Sequence, residues 1–158
     1  MVDINAPIKP KLSIGGINLR SHIREYYDII PTFSWVDKAT LGDCSVYIFG
    51  SFHVRYEMRN TLYLFFNILN GKLYKITALA NYQGLLLDKI KVGMNIVDLL
   101  ELQPNLVYDE FEEVYSYEGL AIETNEIGMI ESISVYVEEL DTLDSDVELR
   151  RQFEKGNW

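Results

Sequence analysis

Over most of the chain, hydrophobic and polar residues alternate with a period of two, and only short stretches carry the spacing of a helix. Ser45–Phe49 and Phe52–Met58 alternate around Gly50-Ser51, which predicts a β-hairpin. Arg59-Asn60 turns the chain into a long strand at Thr61–Ile68. Asn70-Gly71 then closes a second hairpin with Leu73–Ala80, because both turn residues tolerate positive φ. Leu106–Tyr108, Phe111–Tyr117, Leu120–Thr124 and Met129–Val137 predict four further strands, with turns at Gly119 and Gly128. Helical spacing occurs first over about 19–30, where Leu19, Ile23, Tyr26, Tyr27 and Ile30 share a face, Asn18 or Ser21 can cap, and Pro31 ends the run. It recurs at Asn95–Leu102, ended by Pro104, and in the tail at Asp146–Glu154 behind Ser145. Asn5–Pro10 reads as an extended arm, Phe33–Val36 as a short strand, and Leu85–Lys91 as extended up to Gly93.

The two halves follow one plan. Ile14-Gly15-Gly16-Ile17 and Ile90-Lys91-Val92-Gly93 each lead into a helix and then an antiparallel meander, and Gly71, Leu73 and Ile76 are answered without a gap by Gly128, Ile130 and Ile133. The expectation is therefore an α+β fold of two helix-plus-meander units, with the helices on one face and the sheets able to join edge to edge. The first unit with its N-terminal arm covers 1–84, the second covers 85–140, and 141–158 forms a tail.

Composition narrows the function classes. The longest apolar stretches of the 158 residues fall far short of the ~18 that a membrane span needs. The start MVDINAPIKPKL has no apolar core of the secretory kind, so the expectation is a cytoplasmic protein with no membrane role. One cysteine, Cys44, excludes an internal disulfide and a cysteine-based zinc site, and two histidines leave little for metal binding. Nucleophile elbows, phosphate-binding loops and zinc-protease motifs are all missing, so neither enzymatic activity nor a cofactor is expected.

Charge changes the picture most. Residues 1–91 carry eleven Lys/Arg against seven Asp/Glu, while 92–149 carry sixteen Asp/Glu and no Lys, Arg or His, within a total net charge of −10. Like charges in one folded segment repel, so the pattern costs stability. It reads either as a solvated acidic face or as a surface that meets a strongly basic partner. A calcium loop does not fit: Asp144 and Asp146 begin such a pattern, but Glu148 follows and no glycine does. A phosphate backbone would be repelled, which argues against nucleic acid. Density peaks at Tyr108–Glu118, where five acids interleave with four aromatics. The candidate partner-binding residues are Asp109, Glu110, Glu112, Glu113, Tyr115, Tyr117, Glu118 and Glu123. Their carboxylates would steer a basic surface and the tyrosines would supply contact area. A nuclease, whose cleft is lined with Lys and Arg, matches such a surface.

Ile4-Asn5-Ala6-Pro7-Ile8, Ile14-Gly15-Gly16-Ile17-Asn18-Leu19 and the restart Ile90-Lys91-Val92-Gly93-Met94 give the chain a style that resembles the small acidic immunity proteins of bacterial contact-dependent growth inhibition. The resemblance implies an antitoxin-like role: tight binding of a cognate basic toxin domain, often a nuclease, with its active cleft occluded. The tandem layout is also similar to β-lactamase inhibitory proteins, in fold only. Two other readings stand beside it: an adaptor or scaffold that binds by β-augmentation, and a small-ligand-binding module.

Overall fold

The computed structural model describes residues 2–29, 44–49, 53–141 and 145–157. Strands β1 (Ser13–Ile14) and β2 (Ile17–Asn18) form a small ribbon. The main sheet contains β3 (Cys44–Phe49), β4 (His53–Met58), β5 (Leu62–Asn67), β6 (Leu73–Ala78), β7 (Val107–Asp109), β8 (Val114–Tyr117), β9 (Leu120–Thr124) and β10 (Ile130–Tyr136). It is antiparallel throughout, in the order β3-β4-β5-β6-β10-β9-β8-β7. The helices α1 (Ile96–Leu102) and α2 (Ser145–Glu154) and the 3-10 turns Ile23–Tyr26 and Glu138–Asp141 complete the described elements.

This architecture overturns the expected α+β fold of helix-plus-meander units. The molecule is mostly β, and the helix predicted over about 19–30 is replaced by the 3-10 turn Ile23–Tyr26. The cause is tertiary hydrogen bonding. Gly15 and Gly16 both adopt positive φ and fold β1 onto β2, so Ile17 and Asn18 are already committed to a strand. Arg20 N–H then donates to Leu73 O at 2.7 Å, and Leu73 N–H donates to Ser21 O at 2.9 Å. Backbone groups that a helix would use are bound to the start of β6 instead. Leu85–Lys91 likewise is a tight turn rather than an extended segment: Leu87 and Asp88 are left-handed (φ 53° and 59°), and Leu86 and Ile90 exchange two backbone bonds. The predicted strand Phe33–Val36 and the Gly50-Ser51 turn lie outside the described residues.

The two faces of the sheet differ in chemistry, as strand alternation requires. Across one face runs the row Met58, Leu62, Ala78, Ile133, Ile122, Tyr115 and Tyr108, with Tyr56, Leu64, Ile76, Val135, Leu120 and Tyr117 beside it. The aliphatic members are buried and form the core. Gly15 lies against Leu62, and Tyr26 stacks near Phe66 with centroids 6.3 Å apart, so the β1–β2 ribbon and the 3-10 turn cover this face. The other face carries Glu57, Tyr63, Thr77, Ser134, Ala121, Ser116 and Val107 in one row.

Tyr82 fastens the N-terminal arm to this body. Its buried hydroxyl donates to Ala6 O at 2.6 Å and accepts from Gly15 N–H at 2.8 Å. At Gly84 an added Cβ would lie 1.8 Å from Ala6 O, so the arm needs glycine there. Tyr82→Phe strands the buried Gly15 N–H and the part-buried Ala6 carbonyl, and we expect a loss of about 1–3 kcal/mol in urea unfolding.

His22 caps the 3-10 turn. Its Nδ1 accepts from Arg24 N–H at 3.1 Å, while Glu25 accepts from His22 N–H. An accepting Nδ1 is a neutral ring. Desolvation, then the charges of Arg24 and Lys72, push its pKa below the ordinary imidazole value. The unfolded chain therefore binds the proton more readily, and this contribution is present above about pH 6.5 and lost as pH falls below it. Between pH 7.5 and 5, the urea midpoint should fall further for the natural chain than for His22→Asn, which keeps a capping acceptor without titrating.

Candidate functional site

The acidic half of the sequence becomes one end of the sheet, β10-β9-β8-β7, and the eight predicted residues are divided by its geometry. Asp109, Val114, Glu123 and Ser132 are cross-strand neighbours on the outer face, with Asp109 and Glu123 on either side of Val114. Glu123 accepts from the Ser132 hydroxyl at 2.7 Å. Glu110, Glu112 and Glu113 occupy the loop that joins β7 to β8 at the same end of these strands. These five carboxylates are brought to one corner of the molecule.

Local chemistry builds the loop. The Asp109 carboxylate accepts from Phe111 N–H at 2.8 Å and from Glu112 N–H at 3.1 Å, which closes an Asx-type turn. Glu113 is left-handed (φ 55°), the conformation that returns a hairpin loop to its second strand. Asp109 is thus a scaffold for the loop as well as a surface charge. At the tip the Phe111 ring is 91% exposed, and Val107 and Tyr108 on the sheet's last strand are 67% and 45% exposed. In the sequence, Phe111 is one of the four aromatics interleaved with acids over Tyr108–Glu118. Its place at the apex of a loop follows from the turn at Asp109, so the predicted strand Phe111–Tyr117 begins at Val114 instead.

Three predicted residues sit elsewhere. Tyr115 and Tyr117 point to the opposite, core-bearing face, where Tyr115 packs on Tyr108 with ring centroids 4.7 Å apart. Glu118 is in the β8–β9 turn at the far end of β8 and pairs with Lys11 at 2.7 Å. That bond, followed by one from Tyr117, holds the Glu118 carboxyl below the usual range, and the same pairing raises Lys11. Arg20 makes a two-pronged ion pair with Glu139, both contacts at 2.8 Å, with the Glu139 side chain only 11% exposed. Some acidity of the second half is therefore consumed by basic residues of the first, while the Asp109–Glu113 corner has no such pairing among the described residues.

Lys75 is a residue the strand pattern hid. It lies on the outer face between Phe65 and Tyr136, with its ammonium 5.3 Å from the Phe65 ring centre. Burial lowers its pKa, opposed by the negative charges of Glu123 and Glu112. Its signal was the one charged residue in the strand Leu73–Ala78.

Among the described residues no group of three His, Cys, Asp or Glu is arranged to hold a metal, and no helix is long and apolar enough to cross a membrane. Two open clefts of about 390 and 300 Å³ are lined by none of the five corner carboxylates, one by Tyr63, Val92, Met129 and Glu131, the other by Lys11, Leu87, Gln103 and Glu118. Comparison with protein-family models, with curated proteins and with solved structures finds no match to this chain.

Proposed function

We propose that this chain is a protein-binding module whose acidic corner receives a cationic surface of another protein. The observation that carries the reading is Phe111: an almost fully exposed aromatic ring at the tip of a loop made of Glu110, Glu112 and Glu113, beside Asp109 and Glu123. An aromatic side chain in water forgoes about 1.5–3 kcal/mol of burial. It is also the type of residue that anchors interfaces. Surrounding carboxylates select what can approach it: they repel acidic surfaces and accelerate encounter with basic ones. Ring and charge together describe a hot spot with a polar rim.

The immunity role implied by the family resemblance is the specific form of this reading. The partner is then a basic toxin domain, such as a nuclease, and the acidic corner fills the cleft that grips the polyanion. Lys75 fits the same logic. It sits inside the negative field of Glu112 and Glu123, and one ammonium against the five carboxylates of the corner leaves the corner negative.

Two outcomes are expected with a basic nuclease domain that this chain binds, measured by stopped-flow binding and by protection of cells that express the domain. Reversing Glu110, Glu112 and Glu113 to Lys slows association by about 10–10³-fold and removes its salt dependence. Phe111→Ala leaves the association rate nearly unchanged and speeds dissociation by about tenfold or more, as loss of an anchor does. Full protection by the triple reversal would locate the interface elsewhere.

A further inference from the structure

Strand β7 is the last strand of the main sheet, and among the described residues nothing pairs with its outer side. Its three residues are all exposed. One edge of its main chain therefore presents N–H and C=O groups to water, which is a template for another strand. Open edges of this kind are usually blunted by shortness or by charge, and β7 has both: it is three residues long and runs straight into Asp109, Glu110, Glu112 and Glu113.

That blunting is selective. An antiparallel second copy would lay each acidic loop beside Asn105–Val107 of the other copy, which carry no charge to meet it, and would press together two chains that each have a net charge of −10. A strand rich in Lys and Arg meets the opposite situation, since a cation at the end that passes the β7–β8 loop lands beside its carboxylates. Val107 and Tyr108 supply apolar contacts to the two faces of the incoming strand, because successive side chains project to opposite sides. Three residues of backbone pairing are too few to hold a ligand alone, so affinity requires charge and main chain together.

We propose that the β7 edge is a docking site for a basic, extended segment of the partner, which adds antiparallel to β7 as a ninth strand. This rests on the acidic-corner reading above and adds the mode of engagement: main-chain pairing, with the acids choosing the sign of the guest.

The test uses the full chain and three fluorescent octapeptides of alternating Lys and Val. One is unmodified, and the other two have the backbone amides N-methylated along one edge or along the opposite edge. All three have the same charge and side chains, but only the first can pair on either edge. The expected result is anisotropy binding of the unmodified peptide, at least about tenfold weaker binding of the peptide methylated along the pairing edge, and hydrogen-exchange protection at Val107–Asp109. Each edge is methylated in turn, so one of the two methylated forms must fail. Equal binding of all three peptides, with loss of binding on reversing Glu110, Glu112 and Glu113, would overturn strand addition and leave the acidic-corner reading intact. Equal binding that also survives the reversal would overturn both. Sedimentation of the chain alone is expected to give a monomer, and a dimer protected at Val107–Asp109 would make a second copy the occupant and overturn the proposal.

Discussion

The structure depends on one seam, the pairing of β6 with β10. Ala78 faces Ile133, Thr77 faces Ser134, and Ile76 faces Val135. On the core side, these four aliphatic residues are fully enclosed. On the outer side, Thr77 and Ser134 share a hydroxyl hydrogen bond of 2.8 Å, so the polar side of the seam is satisfied too. Each meander would otherwise end in an open hydrophobic edge at this point. Joining them removes both edges and makes one continuous sheet, with its remaining ends at β3 and β7. The seam thereby decides which strand is left open and where it lies.

Charge is organised along the same axis. Strands β3–β6 of the first half and β10–β7 of the acidic second half lie on opposite sides of the seam, so part of the sequence asymmetry becomes a spatial one. Where the halves meet, opposite charges pair: Lys11 with Glu118, and Arg20 with the partly buried Glu139. Exposed pairs contribute little, but the two-pronged Arg20–Glu139 contact has the geometry that counts. At the Asp109–Glu113 corner no acid has an ion-pair partner among the described residues, and net negativity accumulates at β7 and its loop. The acidic corner is thus the far end of a charge gradient whose near end is neutralised internally.

Much of this was legible in the chain, because period-two patterning and turn residues act locally. The strand pairs around Asn60, Gly71 and Gly119 appear where Asn60, the Asn70-Gly71 pair and Gly119 mark them, and α1 begins behind Asn95, whose side chain accepts from Val97 N–H at 3.0 Å. The failures share a cause. Leu19–Ile30 has helical spacing, yet its backbone bonds go to Leu73, a residue some fifty positions away that no local pattern can see. Leu85–Lys91 has strand-like composition, but Leu86 and Ile90 bond to each other across two left-handed residues.

The candidate site divides along the same line. Sequence by itself determined the sign of the surface, since sixteen acids without one base between 92 and 149 leave no other outcome, and it determined that Tyr108–Glu118 is the densest part. Only the tertiary structure decided which acids act together. A strand sends successive side chains to opposite faces, and a hairpin carries its two turns to opposite ends, so Tyr115, Tyr117 and Glu118 part from Asp109 and Glu123 although they are close in sequence. Strand order placed β7 at the rim, and the Asx turn at Asp109 lifted Phe111 into water. Composition is additive along a chain and survives folding, whereas proximity and exposure are created by long-range pairing.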